Sequence, residues 1–558
     1  MSFYNHFYEI LVKLSHSNYC FHSLKRTKFN LKHRKLYINF QRQASSDVKS
    51  ENVEKKSNDK FLSFEKMVEY RRNEARRSIG VQVQSEGSGK ELYHYCKSIA
   101  PISSMFYYKV KNNHYFLVEF CEDCSPLLSK AIYPSGSGVI PAKSPFLWFK
   151  ASKRSGKSTL RDGTIFDDLP FKDSSVPSQQ EVFEWIEQTC SLSDSMKVLY
   201  EGTRLDELGT RLRLLTARQI EMAMEGIFPN IGVLPFGSSV NGLGKAGCDL
   251  DLVVHQHYSI EDHEKNTFRL VQHHKTTSSS SRQYIQRQME VLADIIQLYL
   301  PGCYSVKRIL QARVPIVKFS QEVTGVDCDL SMTNMTGVYM SELLYLMGCL
   351  DEFARPLVFT VKQWAWATGL TNPVPGRWIT NFTLTLLTLF YLQVINRLPS
   401  VDKLKAAAGP QDKRVTEDID CTFIRDLTRF KWKLPKNDDK NELSSLLKGF
   451  FDYYTTFDFS SAGISLNEGK TIPKPDFSPL YVVNPLEKNA NVSKNVSLEE
   501  VERLRIAVRD AAWNFENTED QHKLFRILIT RSPSVNESSK KFIPNNKIFS
   551  VKTLFTNR

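Results

Sequence analysis

The sequence predicts an α+β protein, in which a mixed unit of helices and strands is followed by a mainly helical one. Short β-branched and aromatic runs alternate with helical patterns as far as residue 332, and helical periodicity dominates from Ser341 to Glu516. The 558 residues are 41% hydrophobic and 24% charged, an ordinary globular composition that excludes wholesale disorder and disulfide-rich scaffolds. At roughly 100–200 residues per domain, we expect two to four domains.

The two ends of the chain carry most of its net charge of +13. Residues 1–46 hold eight Lys and Arg against one acid, with apolar residues at helical spacing, which predicts a mitochondrial transit peptide. A basic arm that contacts nucleic acid is the alternative. Residues 47–60 are a charge-balanced linker, and residues 531–558, with six basic residues and one acid, are predicted to be a flexible tail. Binding of a polyanion would therefore depend on locally placed Lys and Arg, or on that tail.

Residues 61–150 are predicted to form a small αβ module. A helix over 64–77 precedes strands at Met105–Val110 and Tyr115–Phe120, which flank a turn at 111–114. The second strand, YFLVEF, is similar to the RNA-recognition strand whose exposed aromatics stack on bases, but it lacks glycines and has Leu117 at a stacking position. An RNA-binding-like module and a purely structural one both fit. Residues 151–190 are predicted to be linker and loops, since the KRSGKS run at 153–158 lacks phosphate-loop spacing.

Residues 191–340 are predicted to be the mixed domain. A helical stripe of leucines from Leu205 is followed by strands, and a His/Ser-rich insert at 255–287 is predicted to be a surface loop that leads into a helix at Gln288–Tyr299. The predicted strands are Val233–Phe236, Leu250–Val254, Arg313–Phe319 and Val326–Met332.

Residues 341–530 are predicted to be the helical domain. The apolar run from Phe382 to Ile395 is about fourteen residues long, too short to span a bilayer, and three threonines interrupt it. It predicts a buried helix, and we expect no membrane span. Ser497 and Glu500 are spaced as a capping box at the start of a late helix. Cys121 and Cys124 form the one CxxC, with no second ligand pair at zinc spacing, so a reduced, disulfide-free protein is expected.

The stretch from Leu234 to Val254 carries the candidate chemistry. A strand leads into Gly237-Ser238-Ser239, and a glycine-rich connection returns to a strand with Asp249 and Asp251. Residues at i and i+2 of a strand project from one face, so the two carboxylates should lie together and repel unless a cation separates them. Backbone N–H groups at a glycine turn and serine hydroxyls suit a triphosphate. This pattern predicts a divalent metal site that holds a substrate phosphate.

A third acid is expected from the strand Val326–Met332. Asp327 and Asp329 share one face, so the residues alone leave both open as the carboxylate that activates an incoming hydroxyl. Asp418 and Asp420 repeat the spacing without a Gly-Ser turn, and we interpret them as a solvated loop.

These motifs together resemble the polymerase-β-like nucleotidyltransferases, and within them the mitochondrial members of the noncanonical poly(A) polymerases. The resemblance extends over about residues 195–515 and more weakly over 61–150. It implies a mixed-sheet palm with helices, a helical poly(A)-polymerase-type domain and a small RNA-recognition-like N-terminal module. The segments that carry it are FGSSVNGLGKAGCDLDL, VDCDLSMTN with SELLYL, VKQWAWATGL with GRWITNFTLTLL, and SPLYVVNP with NVSKNVS.

The resemblance also implies roles for individual residues, carried over position by position. Asp249, Asp251 and Asp329 would be the catalytic acids and ligands of two Mg²⁺ or Mn²⁺ ions. The implied nucleotide-binding residues are Gly237, Ser238 and Ser239 for the triphosphate, Lys362 for phosphate, Asn334 for the ribose, and Asn381 with Phe382 where many relatives have Ser-Tyr. Phe382 would stack on the base. Met340 replaces a polar residue common in relatives, which puts one sugar contact in doubt.

The implied activity is template-independent addition of AMP from ATP to mitochondrial RNA 3′ ends, in the matrix, by a homodimer. Terminal uridylylation or short mixed tailing is an alternative, because base choice depends on few contacts. A non-catalytic RNA-binding scaffold is another, although the complete set of acids argues against it.

Overall fold

The computed structural model describes residues 61–124, 128, 142–151, 171–172, 177–225, 231–256, 281–332, 334–372, 376–416, 418–434 and 442–531. The predicted transit peptide, the linker at 47–60, the segment at 153–158, most of the His/Ser-rich insert and the tail beyond Arg531 lie outside these residues. No helix in the described part of the chain has the length and apolar character needed to cross a membrane.

The elements follow in chain order. The α-helices are α1 Phe64–Arg76, α2 Gly89–Ile99, α3 Gln179–Ile186, α4 Leu192–Thr203, α5 Glu207–Met224, α6 Ser281–Tyr299, α7 Met335–Leu350, α8 Ala354–Ala367, α9 Asn381–Val394, α10 Val401–Ala406, α11 Glu442–Thr455, α12 Leu498–Asn517 and α13 Gln521–Ile529. The strands are β1 Ser78–Val83, β2 Ile102–Val110, β3 Asn113–Phe120, β4 Phe146–Trp148, β5 Phe171–Lys172, β6 Ile231–Phe236, β7 Leu250–Gln256, β8 Cys303–Ile309, β9 Ile316–Gln321, β10 Val326–Met332, β11 Val415–Thr416, β12 Ile419–Asp420, β13 Ala462–Ser465 and β14 Lys470–Pro473.

The first sheet has the strand order β4-β1-β3-β2-β5, and its centre is the predicted β2–β3 hairpin. Both faces of β3 are covered. Phe116 and Val118 pack with helix α2, whereas Tyr115 and Leu117 pack against the leucines of α5. Because these side chains are at most 1% exposed, the aromatics of β3 have no free surface on which to stack a base. The burial favours the structural interpretation of this strand.

A buried ion-pair network joins this sheet to helix α5. The Arg211 guanidinium binds Glu74 of α1 at 2.5 Å, Glu119 of β3 at 2.8 Å and Glu207 at 2.7 Å. Arg211, Glu74 and Glu119 are each less than 9% exposed. Since a buried charge left without its partner is costly, these contacts fix the first sheet to the helix that also supports the second sheet.

The second sheet positions the candidate site. Its order is β6-β7-β10-β9-β8, with β7 and β10 parallel and the other pairs antiparallel. Helices α5 and α6 pack on one face, where Leu250, Leu252 and Leu330 are fully buried. Side chains alternate along each strand, so the carboxylates next to these leucines project from the other face.

The helical part after β10 encloses one large apolar core. The run at Phe382–Ile395 forms the buried helix α9, as predicted, and the hydroxyls of Thr385 and Thr388 donate to the carbonyls four residues earlier. The Ser497 hydroxyl accepts from the Glu500 N–H at the start of α12. Asp418 and Asp420 are exposed on the tight β11–β12 hairpin.

Candidate active site

Two of the three expected acids lie side by side on parallel strands. Asp251 of β7 and Asp329 of β10 are direct register partners, so both carboxylates project from the same face of the sheet. Asp249 is exposed and immediately precedes β7. Asp327 is also exposed on this face, and Ser320 donates to its carboxylate at 2.5 Å. The register therefore distinguishes Asp329 from Asp327 as the acid beside Asp251.

The Gly-Ser turn lies directly over Asp251. β6 ends at Phe236, the register partner of Asp251, and residues 237–239 form one 3₁₀ turn. Gly237 has a φ of +71°, and a Cβ at this position would run into the Asp251 carboxylate. Only glycine meets both conditions. The Gly237 N–H donates to the Ser341 hydroxyl of α7 at 2.7 Å, and this hydroxyl donates to the Gly337 carbonyl at 2.7 Å. Helix α7 thus fixes the turn.

Hydrogen bonds from two side chains hold the backbone at Cys248 and Asp249. The buried Ser239 hydroxyl donates to the Asp249 carbonyl at 3.0 Å. Arg213 of α5, only 3% exposed, donates to the Cys248 carbonyl and, at 3.1 Å, to the Gly209 carbonyl. The hydroxyl of Ser239 is therefore engaged with the protein, whereas Ser238 is half-buried at the turn.

The glycine-rich connection between the turn and β7 rests on helix α8. The Lys362 ammonium donates to the Leu243 carbonyl at 3.3 Å, and Lys245 donates to the Gln363 side chain at 3.2 Å. Gly244 approaches so closely that a Cβ would collide with the Ser238 carbonyl. Through these contacts Lys362 lies beside the turn that the sequence assigned to a triphosphate.

Burial and mutual repulsion raise the pKa values of two of the three acids. Burial, and then the charges of Asp329 and Asp249, raise the pKa of Asp251 to about 7. Partial burial of the Asp249 carboxyl, followed by the charge of Asp329, also raises its pKa. Burial lowers the pKa of Lys362 to about 8. Carboxylates forced together in this way are stabilised by divalent cations that prefer oxygen ligands.

Asp329 is neutralised by a lysine that the sequence did not single out. Lys318 of β9 is its register partner, and the Lys318 ammonium lies 2.6 Å from the Asp329 carboxylate. Within the described residues, no three His, Cys, Asp or Glu side chains are grouped closely enough to hold a metal ion. The three acids suit a metal by donor type and mutual repulsion, but with Lys318 bound to Asp329 they do not form a closed metal-binding group.

The remaining nucleotide-site candidates lie on the helices. Asn334 precedes α7, and its side chain accepts from Thr336 at 3.0 Å. Asn381 and Phe382 begin α9; Asn381 is exposed, and Phe382 is partly buried against the helical core. Met340 lies in that core at 9% exposure. The described contacts connect Asn334 to the turn through α7, and give no direct link from Phe382 to the acids.

Four supporting residues escaped the sequence analysis: Lys318, Ser341, Arg213 and Lys245. Ser341 and Lys245 stand inside motifs that carry the resemblance, which was an available signal for them. Lys318 and Arg213 become relevant only once the β9–β10 register and the packing of α5 are known.

Comparison with known proteins identifies the family. A family model described as "Poly(A) RNA polymerase, mitochondrial-like, central palm domain" matches residues 192–348, and one described as "Cid1 family poly A polymerase" matches residues 442–502. The mitochondrial poly(A) RNA polymerase of Drosophila melanogaster is 44% identical over 470 residues, which are 82% of this chain and 76% of that protein. The chain belongs to the mitochondrial poly(A) RNA polymerase family. The Homo sapiens member is 34% identical over 509 residues, 88% of this chain and 85% of that protein.

Solved structures of this family confirm the predicted fold class. The crystal structure of mtPAP in complex with UTP is 34% identical, covers 84% of this chain and 100% of that chain, and superposes with a TM-score of 0.75. The mtPAP complex with ATPγS gives 33% identity and a TM-score of 0.73. This mitochondrial poly(A) RNA polymerase family member is a nucleotidyltransferase with the α+β, polymerase-β-like fold.

Proposed function

We propose that this enzyme is a template-independent polymerase that adds AMP from ATP to the 3′ ends of mitochondrial RNA. One observation carries the proposal. Asp251 and Asp329 lie side by side on parallel strands, beneath the turn at Gly237, which has no room for a side chain. Nucleotidyl transfer requires carboxylates that hold metal ions, a turn that holds phosphate, and a further acid beside the attacking hydroxyl.

The proposed cofactors are two Mg²⁺ or Mn²⁺ ions held by Asp249, Asp251 and Asp329. When bound, such ions would polarise the α-phosphate and lower the pKa of the RNA 3′ hydroxyl. The protein fixes its own part of this geometry beforehand. Ser239 and Arg213 hold the backbone at Asp249 and Cys248, and the strand register sets Asp329 beside Asp251, where we propose that it acts on the hydroxyl.

The triphosphate is proposed to lie between the Gly-Ser turn and helix α8. Gly237, Ser238 and Ser239 would surround it, and Lys362 would supply a positive charge. Burial lowers the pKa of the lysine to about 8 in the absence of an anion, and a bound triphosphate would favour its charged form. We propose that Asn334 binds the ribose and that Asn381 and Phe382 contact the base.

The proposed setting follows from the resemblance and the relatives' names. We propose import into the mitochondrial matrix directed by residues 1–46, and a homodimer. The proposed domains are an N-terminal module at 61–150, a palm at 191–340 and a helical domain at 341–530, with a linker at 47–60 and a basic tail at 531–558. The prediction of linker and loops for 151–190 was wrong in part, because strand β5 and helix α3 lie there, and Val182 and Ile186 of α3 pack in the helical core.

Primer extension by the chain without residues 1–46 tests the activity. A labelled oligo(A) primer is incubated with Mg²⁺ or Mn²⁺ and each NTP separately. We expect long tails with ATP alone. Efficient extension with UTP, or short mixed tails, would reassign the enzyme to uridylylation or mixed tailing, an outcome worth testing because mtPAP was crystallised with UTP, GTP and CTP as well as ATPγS. If the protein binds RNA but extends the primer with no NTP, the proposed activity is rejected and the interpretation as a non-catalytic RNA-binding scaffold remains.

A further inference from the structure

A row of charged side chains crosses the open face of the second sheet away from the Gly-Ser turn. The strand register places Lys318 opposite Asp329, and Lys307 of β8 opposite Lys318. Directly paired residues project from the same face, and neighbouring strands are about 4.8 Å apart. Lys307 is exposed and lies two strands, about 10 Å, from the acid proposed to act on the RNA 3′ hydroxyl.

A bulge in β8 brings an aromatic ring to the same face. Tyr304 is opposite Ser320 and Lys307 is opposite Lys318, so three steps along β8 match two along β9. In a regular strand, residues three apart project from opposite faces. The extra residue, with Ser305 at a φ of +55°, restores both Tyr304 and Lys307 to the open face.

The ring of Tyr304 is accessible and has a cation beside it. Tyr304 is 43% exposed, and the Lys111 ammonium of the β2–β3 turn lies 5.5 Å from the ring centroid. Two exposed acids nearby are hydrogen-bonded to uncharged partners: Asp327 accepts from Ser320, and Glu322 accepts from Asn113 at 3.4 Å. Arg308, the residue after Lys307, points to the other face, where it binds Asp294 of α6 at 2.5 Å.

We propose that this strip, made of Lys318, Lys307, Tyr304 and Lys111, binds the last nucleotides of the RNA primer. Phosphodiesters behind the 3′ hydroxyl would contact the lysines, and a base would stack on Tyr304. Exposed aromatics among cations are the pattern by which proteins hold single-stranded nucleic acid without sequence preference. The inference rests on the proposed function, since it assumes that the 3′ hydroxyl lies at Asp329.

The test compares K307M and Y304A with the matched control R308M, which removes a charge from the adjacent residue on the other face. Oligo(A) affinity is measured by fluorescence anisotropy from 50 to 200 mM KCl, and KM values for primer and ATP are measured separately. We expect K307M to lower the salt slope by about 0.7, the value for one phosphate contact on a single strand. Y304A should raise the primer KM roughly 5- to 160-fold, the range for one lost stacking contact. R308M should leave the salt slope and the primer KM unchanged.

The outcomes separate this inference from the proposed function. Both K307M and Y304A replace exposed side chains and should keep the Tm and the KM for ATP. If they leave primer affinity and the salt slope unchanged while primer extension continues, the RNA lies elsewhere and the strip is rejected. If they change only the oligomeric state by light scattering, the strip is an interface between copies, and the inference is also rejected. Wild-type protein that binds oligo(A) at the strip but extends no primer would reject the proposed function alone.

Discussion

Replacing Lys362 by methionine should stabilise the protein at neutral pH and weaken its binding of ATP. Burial lowers the pKa of Lys362 from 10.5 to about 8, and a shift of this size corresponds to about 3 kcal/mol against the charged form in the folded state. Methionine removes that cost but also removes the donor to the Leu243 carbonyl, worth about 1 kcal/mol. Because Lys362 keeps some contact with solvent, we expect a net gain of about 1–2 kcal/mol.

The pH dependence gives the sign of the effect. Below pH 8 the lysine is charged in both states, so the folded state bears the whole cost. Between pH 8 and 10.5 the unfolded chain binds more protons than the folded one, so wild-type stability rises with pH. With the same allowance for solvent contact, the advantage of K362M should therefore shrink by about 1 kcal/mol from pH 7 to pH 9.5.

Thermal unfolding at both pH values, together with ATP titration, checks this reasoning. K362R, which keeps the charge over the whole range, is the control and should gain no stability while retaining more ATP affinity than K362M. A lower Tm for K362M at pH 7, a gain that is the same at both pH values, or an unchanged KM for ATP would refute the account of Lys362 as a buried, phosphate-binding cation.

Three further substitutions test the site. D251A should remain folded but lose at least about 10²-fold in kcat, the cost of removing one key electrostatic group, and substantial residual primer extension would contradict its role. S341A leaves the Gly237 N–H without its buried partner, which should cost about 1–3 kcal/mol in urea unfolding and raise the KM for ATP; an unchanged KM would separate α7 from the turn. G244A drives a Cβ into the Ser238 carbonyl and should lower kcat/KM for ATP, whereas the control G87A meets only ordinary contacts; equal activity of the two variants would show that the turn tolerates the shift.

The strands that carry the acids were predictable because one face of each strand is apolar and buried and the other face carries acidic residues. β10 was predicted with its observed bounds, Val326–Met332, since buried apolar residues alternate with acids. β8 was not predicted. Most of its residues are exposed and a bulge breaks its alternation, so the sequence has no period of two there. Helix α6 begins at Ser281, seven residues before its predicted start, because its first turns are polar.

The short strands β4 and β5 were missed for a different reason. Three and two residues are too few to establish a pattern, and they become strands by pairing with the edges of an existing sheet. The prediction of Arg313–Phe319 placed β9 three residues too early at its start and two too early at its end. Boundaries of this kind depend on partner strands, which no local pattern specifies.

The candidate acids could be found from the sequence, but their supporting contacts could not. Alternation predicts that Asp249 and Asp251 lie together. Spacing alone left Asp327 and Asp329 open, the resemblance implied Asp329, and the parallel register of β7 with β10 sets Asp329 beside Asp251. Lys318 reaches Asp329 from a strand that is antiparallel to β10, and Ser341 reaches Gly237 across more than a hundred residues. Such contacts arise from tertiary structure alone.

The placement of charge ties these observations together. Eight basic residues stand against one acid at 1–46 and six against one at 531–558, so the net charge of +13 describes the ends of the chain far more than its folded body. A body with little net charge can attract RNA only where cations are locally unbalanced. Asp249 and Asp251 repel a phosphate backbone, whereas Lys318 offsets the charge of Asp329 and Lys307 lies one strand further from the Gly-Ser turn. If the proposed function and the RNA-binding strip hold, the strand register that distinguishes Asp329 from Asp327 also sets the triphosphate on one side of Asp329 and the RNA on the other.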